Sequence, residues 1–64
     1  MAIRYIKDDG YYFYIVTQDN HQRLARPKDG AKLINTTDTT WTIELRGRLY
    51  TYDENNNLVQ SRWV

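Results

Sequence analysis

Sixty-four residues suffice for one domain and no more, because a chain this short buries only about 60% of the surface its unfolded form exposes. The absence of cysteine excludes a disulfide framework and a thiolate metal site, and a formal charge of +1 with a pI of 8.0 falls short of a dedicated nucleic-acid binder. No window approaches the roughly eighteen apolar residues of a membrane span, and the N-terminus lacks an apolar signal core, so the expectation is a single β domain over residues 1–64, cytoplasmic and away from membranes.

Residues 2–7 alternate imperfectly and predict a first strand, closed by the turn signal Asp8-Asp9-Gly10. Residues 11–18 are apolar or aromatic on both faces of the pleat, the pattern of a central strand. Its two faces read Tyr11, Phe13, Ile15, Thr17 and Tyr12, Tyr14, Val16, Gln18. One belongs to the core. A domain of this mass rarely covers both sides of a sheet, which makes Tyr12 and Tyr14 candidate contact residues, each with a broad apolar ring and a polar tip. The alternative is that these rings close a small barrel or lie beneath a basic loop.

Asp19-Asn20-His21-Gln22 is the next turn. Residues 21–32 then hold Arg23, Arg26, Lys28 and Lys32 against Asp29, a local charge of +3, with the flanking segments at −1 each. Pro27 removes a ladder donor and Asp29-Gly30 is a turn pair, so this stretch reads as an edge strand or loop. It is the first candidate for an acidic partner, against the plainer reading of a solvated basic loop.

Residues 31–35 predict a short strand through Leu33 and Ile34. If residues 40–52 form one continuous strand, Trp41, Ile43, Leu45, Gly47, Leu49 and Thr51 share a face and Gly47 marks a bulge or bend; otherwise Arg46-Gly47 is itself a turn. The first choice favours a bent-strand barrel, the second a meander. After Asp53-Glu54-Asn55-Asn56-Asn57 the chain returns as a last strand. With Asn55 and Asn56 central in the turn, Tyr52 faces Val59, Tyr50 faces Ser61, and Arg48 faces Trp63 with a cation–π contact; a one-residue slip would exchange the faces.

No stretch shows helical spacing. The predicted fold is all-β, a small SH3-like barrel or a strongly twisted antiparallel sheet of roughly five to six short strands. Seven of the eight acids fall in predicted turns and only Glu44 in a strand, which leaves strand faces basic. Open edges in such a protein favour a homodimer paired through them.

The sole histidine, His21, sits in a polar turn, and the sole serine, Ser61, has no triad company. Asp8-Asp9 and Asp53-Glu54 match no calcium-loop spacing, and Gly10, Gly30 and Gly47 occur singly. No catalytic residue, metal ligand or cofactor is assigned, and the chain is read as a non-enzyme.

Leu49-Tyr50-Thr51-Tyr52-Asp53 followed by Asn57-Leu58 resembles the tyrosine–aspartate repeat of Rhs-type shell proteins, with no second copy in the chain. Thr51-Tyr52-Asp53-Glu54 is similar to the central hairpin of the small archaeal chromatin proteins, SH3-like barrels that bind the DNA minor groove. Those are lysine-rich with a C-terminal helix, and this chain has neither; no family is assigned.

Two functional classes lead, ahead of a third, a structural β-subunit that assembles through its edges. The first is a protein-binding module, an inhibitor or adaptor with the profile of a phage or mobile-element protein that occludes a host protein, using Tyr12, Tyr14, Arg26, Arg48 and Trp63. The alternative is nucleic-acid binding, with Arg23, Arg26, Lys28 and Lys32 on phosphates and Tyr12, Tyr14 or Trp63 stacking on bases.

Overall fold

The computed structural model describes residues 2–64. Seven strands follow in order: β1 (Ile3–Asp8), β2 (Tyr12–Thr17), β3 (Gln22–Pro27), β4 (Lys32–Thr36), β5 (Thr40–Leu45), β6 (Arg48–Asp53) and β7 (Leu58–Trp63). They form two antiparallel meanders, β1-β2-β3 and β4-β5-β6-β7. The count exceeds the expected five to six because residues 40–52 are not one strand. Arg46 and Gly47 take φ of 53° and 80°, the two positive angles of a tight hairpin turn, and β6 folds straight back on β5.

The core lies between the sheets. Ile3 and Ile6 of β1 and Phe13 and Ile15 of β2 face Trp41 and Ile43 of β5 and Tyr52 of β6, with Ala31 at one end. Phe13 meets Trp41 edge-on at 5.7 Å between centroids, and Trp41 meets Tyr52 at 5.0 Å. Trp41 can be wholly buried because its indole N–H donates to the Asp53 carbonyl at 3.2 Å. Ile3 and Ile6 share a face despite their spacing because Arg4 is an extra residue opposite β2. That bulge is the imperfection in the alternation of residues 2–7.

The ladders remain open, and closure into a barrel is not found among the described residues. Each of the four outer strands carries one extra residue: Arg4 in β1, Ala25 in β3, Ile34 in β4 and Val59 in β7. The inner pair β5–β6 is regular. Mid-strand bulges such as those of β3 and β4 twist an outer strand and blunt edge-to-edge association. Two seams join the sheets: Ile3 N–H donates to the Asp38 carbonyl at 2.7 Å, and Asn56 Nδ2 donates to the Ala25 carbonyl at 2.6 Å.

The last hairpin keeps most of its predicted register. Arg48 pairs with Trp63 and Tyr50 with Ser61, but Tyr52 pairs with Leu58 rather than Val59. The reason is the turn. Asn56 at φ 66° closes a three-residue loop in which Asn56 N–H reaches the Asp53 carbonyl at 3.0 Å, and Val59 becomes the extra residue. The Asp53 carboxylate accepts the Asn55 and Asn57 N–H groups at 2.9 and 2.8 Å, which holds it below the ordinary carboxylate pKa. Asp8, Asp9 and Asp19 serve other turns in the same way.

Candidate protein interface

Antiparallel partners share a face, so the pairings of the first sheet define its outer surface. Tyr5, Val16 and Gln22 form one row across it, and Lys7, Tyr14 and Leu24 the next, with Tyr12 opposite Pro27 beyond. Tyr5 is 47% exposed, Tyr12 41% and Leu24 59%, while Val16 is buried as the floor beneath them. Tyr14 is half-buried, with Lys7 Nζ 5.7 Å from its ring centroid; burial, then a hydrogen bond to Asp9, pushes its hydroxyl pKa up. The result is a tyrosine-lined sheet face with one cation. Tyr5, Lys7 and Leu24 were not among the sequence candidates, because the registers that the turns after β1 and β2 impose decide that they share a face with Tyr14.

The remaining predicted contacts lie elsewhere. Arg26 turns from β3 toward the second sheet, its guanidinium carbon 3.8 Å from the Tyr52 ring centroid and its Nε donating to Asn56 Oδ1 at 3.2 Å. It is half-buried and reinforces the seam between sheets. Burial raises the Tyr52 pKa, with Arg26 pulling the other way. Arg48 lies at the β6–β7 edge, 4.7 Å from the Trp63 ring centroid and 5.8 Å from that of Tyr50, and its Nη2 donates to Ser61 Oγ at 3.3 Å. Trp63 is 71% exposed. Tyr12 with Tyr14 therefore lie apart from Arg26 and from Arg48 with Trp63, which stand at the two ends of one row through the stacked rings of Tyr52 and Tyr50, 6.5 Å apart.

The four cations predicted for phosphates do not form one patch either. Lys28 Nζ is 2.7 Å from Asp8 Oδ2, and this contact is the largest cause of the lowered Asp8 pKa. Arg26 is held on Tyr52 and Asn56. Arg23 is exposed on β3 of one sheet, and Lys32 is exposed on β4 of the other, opposite Glu44.

Around the sole histidine, Asp19 accepts the Thr17 hydroxyl and lies 3.3 Å from His21 Nδ1. The Thr17 hydroxyl points to the carboxylate rather than to the imidazole, so this is a turn network without an activated nucleophile. Among the described residues there is no pocket and no group of three potential metal ligands, and no helix is long and apolar enough to cross a membrane. No protein-family model, curated protein or solved structure matches the chain.

Proposed function

We propose that this chain is a non-enzymatic, cytoplasmic binding protein that acts by protein–protein contact, as a small inhibitor or adaptor whose profile is that of a phage or mobile-element protein occluding a host protein. The observation that carries this reading is the outer face of the first sheet, where Tyr5, Tyr12, Tyr14 and Leu24 surround the buried Val16. Tyrosine rings on a rigid sheet supply large contact area at small entropic cost, and such residues dominate interface energetics. In this reading the two sheets are an open form of a small SH3-like barrel, with the seams at Ile3–Asp38 and Ala25–Asn56 standing in for strand closure.

Nucleic-acid binding is the weaker reading because Lys28 and Arg26 are engaged within the chain while Arg23 and Lys32 lie on different sheets. Useful non-specific affinity comes from several phosphates neutralised together. Two measurements test the choice. A protein target captured by the native chain should bind the Tyr14→Ala variant about thirtyfold more weakly, the loss typical of a hot-spot tyrosine. Fluorescence anisotropy with single- and double-stranded oligonucleotides should stay flat at low salt. Tight oligonucleotide binding that falls steeply with salt would reverse the ranking.

A further inference from the structure

Strand β7 is paired on one side only. Val64 N–H donates to the Gly47 carbonyl at 3.0 Å, which makes that pair a hydrogen-bonded one. Alternation along the ladder then turns the N–H and C=O groups of Ser61 and Trp63 away from β6, toward the open edge. From Gln60 to Trp63 the strand is regular, because its extra residue, Val59, lies near its start. By contrast β3 and β4 carry theirs mid-strand, and β3 ends on Pro27. β7 therefore keeps an uninterrupted template for another strand.

The side-chain charges beside Gln60–Trp63 are basic, while the acids Asp53 and Glu54 stand at the turn before β7. Arg48 reaches over β7 from the core-side face, bonded to Ser61 and resting between Trp63 and Tyr50, and its buried Nε has no hydrogen-bond partner. Arg62 projects from the opposite face and is exposed. Glu44 shares its row but sits two strands in, beyond Leu49. A second copy paired antiparallel about Ser61 would set two Arg48 guanidiniums side by side across the symmetry axis, and one centred on Arg62 would oppose those two arginines. Like charges so placed disfavour self-pairing and favour an acidic strand.

We propose that the open edge of β7 takes up an extended acidic segment of a partner protein by strand addition. The segment's backbone pairs with Ser61 and Trp63; a carboxylate opposite Ser61 meets Arg48, and an apolar side chain two residues away packs on Trp63. This rests on the protein-binding reading above and names the chemistry of the partner. The terminal nitrogen of Arg48 beside Ser61 and the free edge point to the same occupant.

The test is a titration of the ¹⁵N-labelled full chain with the blocked peptide Thr-Val-Thr-Glu-Thr-Val-Thr and with versions carrying Gln or Lys in place of Glu. The expected result is saturable shifts at the Ser61 and Trp63 amides and the Trp63 indole, with the Glu peptide binding about tenfold tighter than the Gln peptide, as a charge-assisted contact should. Arg48→Gln should remove that tenfold difference. Ser61→Pro, which deletes an outward N–H, should abolish the shifts while thermal unfolding shows the variant folded.

Equal binding of the three peptides, or none, would overturn the proposal. So would the same edge shifts on concentrating the protein alone, which would give the edge to a second copy, or on adding an oligonucleotide. Tyr14→Ala keeps the two readings apart. If it loses a captured target while the peptides leave the edge untouched, the edge assignment fails and the tyrosine face stands.

Discussion

Replacing Arg26 by alanine should destabilise the protein rather than disarm a contact surface. The side chain makes two contacts inside the fold: its guanidinium lies 3.8 Å from the Tyr52 ring centroid, and its Nε donates to Asn56 Oδ1. A partly desolvated cation–π contact contributes about 1–2 kcal/mol and one side-chain hydrogen bond about 1 kcal/mol. Together they predict a loss of about 2–3 kcal/mol, against about 3–10 kcal/mol for the whole stability of a domain this size. At about 4–8 °C per kcal/mol the melting temperature should fall by about 10–20 °C. Thermal unfolding followed by circular dichroism reads this directly. A cycle of Arg26→Ala with Asn56→Ala should show a coupling of about 1 kcal/mol, since both side chains serve one seam. A melting temperature within about 2 °C of the native value would show that Arg26 does not brace the seam and is free to face a partner.

The turn at Arg46 gives a prediction of opposite sign. Its φ of 53° strains a long side chain, and its ion pair with Asp29, 3.5 Å apart and largely exposed, offsets little. Arg46→Asn should raise stability by about 0.5–1 kcal/mol in urea unfolding, and an unchanged or lowered midpoint would show that the ion pair outweighs the strain. Stability should also fall in acid. The Asp8, Asp9, Asp19 and Asp53 carboxylates all have lowered pKa values in the folded state, so the unfolded chain takes up protons first as pH drops. Their contribution is complete above about pH 5 and is lost as pH falls through their folded values; Asp53→Asn should flatten part of that slope in melts between about pH 5 and pH 2.

Much of the fold could be read locally. The turn acids needed only their own side chains and the next few N–H groups, as Asp53 shows with Asn55 and Asn57. Phe13 and Ile15 alternate on one face of β2 and both lie in the core. The pairings of Arg48 with Trp63 and Tyr50 with Ser61 followed from hairpin geometry, up to the extra residue Val59 that the three consecutive asparagines left undecided. The Arg46-Gly47 turn was one of two readings, because a lone glycine suits a bulge and a turn equally well.

Length, composition and the spacing of β-branched and aromatic residues are enough to read that this chain is all-β, that every acid but Glu44 stands in a turn or at a strand end, and that β2 is central to its sheet. Those properties depend on near neighbours. It takes the folded chain to put Arg26 against Tyr52 between the sheets, Lys28 on Asp8, and Tyr5 beside Tyr12 and Tyr14 on one outer face. The first two depend on contact between segments far apart in the chain and the third on the register of the β1–β2 hairpin, while the bulge at Arg4 is what returns Ile3 to the core face. One extra residue reverses the face of everything beyond it, and nothing in local propensity announces where it falls.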